Sequence, residues 1–420
     1  MQQSMWRRLL VFAAAFVLVA AACTTDQGGT DKEVSVIGTW ADAEQEAFLA
    51  MVQPWEADTG NTVKYTGTRD LNAVLTTGVA SGILPDLAGL PGPGQLVEYA
   101  QGGSLKSLDD VLDIEKYNSE TVAAVASIGV VDGKTYGVFI KTSVKGLIWY
   151  NPNVYTGGAP ADFAALQSTA PPAGADLWCI GLESEAASGW PGTDWIEDII
   201  IRQSGAQVYD AWVNGTQKWT SAEVKSAFEL FGDALDKAHG TPEAIVSDGG
   251  GDFRNAGNPL FTDPPGCLFH HQASFITTFF KDNGGAQEGQ YDFFVMPDIN
   301  PANAGALTGG GDLFGLFSDK AAAKDLIKYL VTADAQKIWV DRGGAISANK
   351  NVTTYPDAIS QKSAEALLGA TQFRFDGSDL MPAAMNQAFW SAMLDFTLDQ
   401  SKLDEILAHL DEVQADAYGG

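Results

Sequence analysis

The chain predicts an α/β protein of two or more domains built on parallel sheet, and three features carry that expectation. Its 420 residues exceed what a single hydrophobic core holds. Hydrophobic residues make up 45% and charged residues 19%, the balance of a folded globular chain rather than a disordered one. From Val34 to Leu90 short apolar runs alternate with helix-spaced segments, the order that builds β-α-β units.

"VSVIGTW" (34–40) is a short strand of the buried type. "AEQEAFLAMVQPWEADTG" follows, with Ala47, Phe48, Met51, Val52 and Trp55 at helical spacing and Gly60 as its stop. Pro54 should kink this helix or turn its last turn outward. "NTVKYTG" is the second strand, Leu71, Val74, Leu75 and Val79 mark the second helix, and "PDLAGL" is the third strand. In an open α/β sheet, ligands bind beyond the carboxyl ends of the strands. Gly38–Trp40, Gly67–Asp70 and Gly89–Gly94 are those ends here, and they collect the polar and aromatic residues. Asp70 also suits the N-cap of the second helix. Arg69 has no capping role, so the pair points to a site.

"KTYGVFIKTSVKGLIWYNPNVY" (134–155) reads as a strand, with Lys141 and Lys145 four apart, that leaves one lobe for another. In "DLWCIGLESEAASGWPGTDWIEDII" a strand leads to a loop with Glu183, Trp190, Asp194 and Trp195, then an amphipathic helix. "CLFHHQ", "YDFFVMPD" and "GALTGGGDLFGLF" are further strand-like runs, and the last hundred residues are mostly helical in pattern. No internal repeat or long low-complexity tract is present.

The formal net charge is -28, from 25 basic and 53 acidic residues. A field of that sign repels phosphate backbones and anionic lipid, so no nucleic-acid partner is expected. Arg7 and Arg8 precede fourteen apolar residues, Leu9–Ala22. That run is shorter than the roughly 20 residues a bilayer span needs and reads as an export signal over 1–22. Cys23 follows three alanines and resembles the lipidated cysteine of a bacterial lipobox, with Ala20 where leucine is usual. Residues 23–31 are then a polar, Gly-rich tether. Export leaves Cys179 and Cys267 as a pair in an oxidising compartment, where a disulfide is expected. It would close a long loop, worth about 4 kcal/mol in a chain-entropy account. The competing use of Cys267 is a metal site with His270 and His271, which fits no zinc spacing.

The lipobox, the "GTW…PWEADTG" opening, "PDLAGLP", "DGKTYGVF…KGLIWYN", "GGDLFGLF", "AQKIWVDRGGAISANK" and "RFDGSDLMPAAMNQAFW" together resemble extracellular solute-binding proteins of ABC importers. The resemblance runs from about residue 32 to the end and lies nearest the carbohydrate-binding, alpha-glucoside type. It implies a periplasmic-binding-protein-like fold: two α/β lobes, 32–147 with 302–348 and 148–301 with 349–420, closing by hinge motion on a sugar in the cleft between them. It also implies permease transmembrane subunits as partners, a lipid-anchored position outside the cell membrane and a membrane contact through the lipid alone. A monomer is expected, with no cofactor and no metal.

A pyranose presents apolar C–H faces and adjacent hydroxyls, so its site needs flat aromatic walls and fixed polar groups. The candidates are Trp40, Arg69, Asp70, Lys141, Trp190, Asp194, Gly310, Asp312, Arg342, Arg374 and Asp379. Several have a plainer reading. Asp379 and Arg374 pair with each other across "RFDGSD"; Arg342 ends a helix favourably. Trp55, Trp339 and Trp390 fall at helical spacing and read as core. Trp195, opening its helix, reads as half-buried. His270 and His271 read as satisfied strand histidines. There is no G-x-S-x-G elbow and no lysine-bearing phosphate cradle, so an enzyme is unmotivated, although so many carboxylates always allow a hydrolase-like pair. Two further readings stay open at this point: the same fold serving a peptide or polyamine, and a passive adhesion lipoprotein.

Overall fold

The computed structural model describes residues 31–419, so the export signal, Cys23 and all of the tether but its last residue lie outside the described part. Among the described residues twelve strands run in chain order: β1 (Glu33–Gly38), β2 (Thr62–Gly67), β3 (Leu87–Leu90), β4 (Val130–Val131), β5 (Lys134–Thr135), β6 (Gly137–Val144), β7 (Leu147–Tyr150), β8 (Asp176–Cys179), β9 (Cys267–Gln272), β10 (Asp292–Val295), β11 (Ala306–Leu316) and β12 (Gln372–Phe375). They form a six-stranded mixed sheet, a four-stranded sheet in the order β10-β7-β9-β8, and the small β4–β5 hairpin.

In the first sheet β1 lies between β2 and β3, parallel to both. Helix Asp42–Thr59 covers it with Ala47, Phe48, Met51, Val52 and Trp55, the apolar stripe read from the sequence. The helix stops at Gly60, φ 68°, whose N–H donates to the Glu56 carbonyl. Pro54 sits inside the helix without ending it. Because the three strands are parallel, their carboxyl ends deliver 39–40, 67–70 and 91–95 to one rim.

β11 is the long member. Along one edge its first half pairs with β12 (Ala306–Gly309) and its second half with β3 (Leu313–Leu316). Gly310, Gly311 and Asp312 between them face no strand on that edge. β6 pairs along the opposite edge, with a bulge at Asp312/Leu313 that skips Ile140. Bulges of this kind re-aim side chains beside functional sites. β12 lies within 349–420 and belongs to the first sheet.

The two-residue link Lys145–Gly146 carries the chain from β6 into β7 of the second sheet. Gly146 has φ 68°, and a Cβ there would lie 2.7 Å from both Asp198 and Arg202. That close approach is needed because Asp198 ties three elements together. Its carboxylate accepts from Arg202 and Thr308, each at 2.6 Å, and contacts His271 Nε2 at 2.7 Å. Burial alone would raise the Asp198 carboxyl, yet the Arg202 guanidinium and the His271 bond hold it down to about 2. Cys179 and Cys267 join β8 to β9 as a disulfide with Cα atoms 5.5 Å apart, so Cys267 is not a metal ligand. His270 contacts the Cys179 carbonyl at 2.9 Å, and burial lowers its imidazole to about 4.

Removing one partner of a buried ion pair strands the other charge. Asp198→Ala should therefore cost about 3–5 kcal/mol, read as a lowered midpoint in urea unfolding. A loss below about 1 kcal/mol would mean that Arg202 finds other compensation.

Candidate ligand-binding site

A cavity of about 160 Å³ opens where the rim of the first sheet meets the second half of the molecule. Eight of the eleven candidates line it: Trp40, Arg69, Asp70, Lys141, Trp190, Gly310, Asp312 and Asp379. The rim supplies Trp40, Arg69 and Asp70 from the ends of β1 and β2. Asp70 is the N-cap residue of helix Leu71–Ser81 but makes no side-chain capping bond, so its carboxylate stays exposed at the cavity. Arg69 reaches across the cavity, its guanidinium 5.1 Å from the Phe253 ring centre.

The floor is two lysines in the adjacent strand and link, each already matched. Lys141 contacts Glu44 at 2.8 Å and Asp312 at 3.3 Å. Burial would lower its ammonium, but these two carboxylates hold it above its usual value. Lys145 contacts Asp194 at 2.7 Å and also binds Asp376. Burial, and then the neighbouring Asp376, push Asp194 up to about 8 against the pull of Lys145. Burial and Asp376 also push the Glu197 and Asp379 carboxyls well above the carboxylate range. Burial works against the charge of Asp376 too, but Lys145, the Asp379 N–H and the Ser378 hydroxyl keep it lowered. Lys145 thus faces one dominant anion, Asp376. The carboxylates of Asp194, Glu197 and Asp376 converge within 4.8 Å, and the cation against two of them is the Lys145 ammonium.

The opposite wall is aromatic. Trp190, Phe253, Phe275 and Trp390 line it, with Trp190 and Phe253 edge-to-face at 5.1 Å. Trp190 is the first residue of helix Trp190–Ser204 rather than a loop residue. Gly189 before it has φ 109°, and a Cβ there would meet the Trp390 carbonyl at 2.2 Å. Glycine alone lets the start of this helix approach the Trp390 backbone so closely.

Several expectations need correction. Trp40 is 2% exposed, packed among Phe48, Tyr65, Phe314 and Trp339, so its ring supports the cavity instead of forming a free wall. Asp194 does not line the cavity and acts from behind Lys145. Arg374 lies elsewhere, forked onto Asp210 at 2.6 and 2.8 Å, and does not pair with Asp379. Arg342 borders a second cavity and approaches Glu46 at 3.7 Å. Trp195 is fully core, edge-on to Trp178 and over His271. Trp390, read from spacing as core, is half-buried at the cavity with its indole N–H unpartnered. Gln95, Lys145, Phe253 and Asp376 were missed, since nothing local marks them. The Gln387–Trp390 spacing, a polar and an aromatic residue one helical turn apart, was the available sign.

The raised carboxyl of Asp194 holds its proton in the native state over a pH range where the unfolded chain has released it. Native stability therefore falls as pH rises from the ordinary carboxylate range through about 8. Between pH 7 and 8.5 the melting temperature should drop, and Asp194→Asn should shrink that drop. An equal drop in both proteins would place the linkage elsewhere.

Residues 50–367 match the family described as bacterial extracellular solute-binding protein. The osmoprotective compounds-binding protein GgtB of Synechocystis is 33% identical over 374 residues, covering 87% of this chain and 88% of its own. The alpha-glucosides-binding periplasmic protein AglE of Rhizobium meliloti is 33% identical over 395 residues, with 88% and 84% covered. Among solved structures, a chitin oligosaccharide binding protein superposes with TM-score 0.78 at 19% identity, covering 92% of this chain and 99% of that one. These likenesses also establish the periplasmic-binding-protein fold. With the cavity and the strand ends placed as above, the chain belongs to the bacterial extracellular solute-binding protein family and is a binding protein rather than an enzyme.

Proposed function

We propose that this protein is the receptor of an ABC importer, lipid-anchored through Cys23 outside the cell membrane, and that it captures a neutral glycoside, an α-glucoside or oligosaccharide, for delivery to the permease. The observation that carries the reading is the pairing of an aromatic wall with a floor whose charges are already matched. Trp190 and Trp390 offer flat apolar faces, and the Trp390 N–H and the Gln95 carboxamide oxygen line the cavity without partners. A buried polar group left unpaired costs about 1–3 kcal/mol, which a hydroxyl donating to Gln95 or accepting from Trp390 would recover. Lys141 and Lys145 are each held between two carboxylates, so the floor offers directed hydrogen bonds without a free charge.

The name of one relative, for alpha-glucosides, supports a sugar ligand; the other is named for osmoprotective compounds. In this reading the two sheets belong to two lobes, and Lys145–Gly146 and 296–305 are crossings on which they close. Arg69 over Phe253 and Arg254 at 3.6 Å from Asp42 are then contacts of the closed form.

The test is a thermal-shift screen of the soluble form from Thr24 against mono- and disaccharides, amino acids, peptides and polyamines. Native-state binding raises the midpoint by mass action, about 2.7 kcal/mol at a hundredfold excess over Kd. A rise with glucosides is expected; a rise only with peptides or polyamines discards the sugar reading. Trp190→Ala and Trp390→Ala should each weaken the glucoside at least tenfold by calorimetry, about 1.4 kcal/mol. Unchanged affinity removes that indole from the site.

A further inference from the structure

A second cavity, of about 290 Å³, adjoins the first. Glu44 lines both. Beyond it the second chamber is bounded by Glu46, Lys281, Asp282 and Arg342, charged groups able to bond paired hydroxyls, with the buried Trp339 packed beside them.

The residue common to both linings, Glu44, is held by a small set of side chains. Glu44 Oε1 lies 2.8 Å from Lys141 Nζ, and both side chains are nearly buried, 12% and 8% exposed. The Lys141 ammonium sits 5.4 Å from the Trp40 ring centre and 4.8 Å from that of Trp339. The two indoles are themselves edge-to-face at 4.8 Å. The lysine is thereby fixed on three sides and holds the glutamate across the boundary. Glu44 stands on the first turn of helix Asp42–Thr59, so its backbone cannot retreat without moving that helix.

We propose that the Glu44–Lys141 pair is a length gate: it ends the binding site after a short glycoside and keeps the adjoining chamber from accepting further sugar units. The proposal rests on the glycoside reading above and deepens it. Shortening Glu44 would merge the chambers without stranding the lysine, because Asp312 remains 3.3 Å from Lys141. That second carboxylate is why the substitution should leave the protein folded.

The experiment compares ligands that differ by one unit, sucrose with raffinose and maltose with maltotriose, by calorimetry on the wild type, Glu44→Ala and Glu44→Gln. The wild type should bind the shorter member of a pair at least tenfold tighter. Glu44→Ala should bring the two within about threefold, an energy difference near 0.7 kcal/mol. Glu44→Gln fills the same space, still accepts from Lys141, and should keep the wild-type preference. Glu44→Ser repeats the test should the alanine variant not fold. A wild type that binds both lengths equally, or an alanine or serine variant that keeps the full preference, overturns the gate while leaving the glycoside reading intact. A glutamine variant that loses the preference as fully as alanine also overturns it. A wild type that binds none of the four sugars yet responds to another solute overturns the glycoside reading and the gate with it.

Discussion

The Lys145 ammonium sits where the chain crosses from the first sheet to the second, and much of the site follows from satisfying it. A charge in that position is costly unless carboxylates surround it. Asp194 arrives from helix Trp190–Ser204, and Asp376 from the segment just after β12. The lysine therefore draws together three stretches that are far apart in sequence, and all three border the cavity. With two carboxylates for one ammonium, one acid keeps its charge and the other is driven toward its protonated form. Asp376 is the better stabilised of the two, through the Asp379 N–H and Ser378 hydroxyl, and Asp194 carries the raised carboxyl. The Lys145 ring contact, 5.6 Å from the Trp190 centre, extends the same group to the aromatic wall.

Asp198 performs the complementary task one turn later on the same helix. Its partners lie on the second sheet, on β11 and on its own helix, so the helix is pinned to both sheets by one carboxylate. The gap in β11 pairing completes the arrangement. Between the stretch held by β12 and the stretch held by β3, three residues line the cavity, and two of them are glycines. Rigid strands on either side and small residues between them hold the floor in place while leaving it accessible. A recognition site needs such fixed groups, because the ordering cost is met during folding and not again on binding.

Much of the fold was legible locally. The order of strands and helices from β1 to β3, the stop at Gly60, the Cys179–Cys267 bridge and the strand-end rim all follow from short-range patterns, period and chemistry. Arg69 and Asp70 are expected at the rim because a strand end in a parallel sheet is a known address for ligands, and both line the cavity. Trp390 was misread because a tryptophan at helical spacing carries the same pattern whether its face meets core or cavity. Trp40 was misread in the opposite sense: it follows a strand end, yet four aromatic neighbours from distant segments enclose it. Arg374 and Asp379 are five residues apart, but the strand and turn between them send one to Asp210 and the other to the cavity.

By itself the sequence determined the α/β class, the parallel rim, the pairing of the two described cysteines and the acidic character that disfavours nucleic acid. Each of these depends on periodicity, on covalent chemistry or on net charge, all of which are local or additive. Only the tertiary structure decided which lysine meets which carboxylate, which of the ten described tryptophans line a cavity, and that Glu44 borders two cavities at once. Those are contacts between segments far apart in the chain, where burial and neighbouring charge set both geometry and protonation, and no local pattern encodes them.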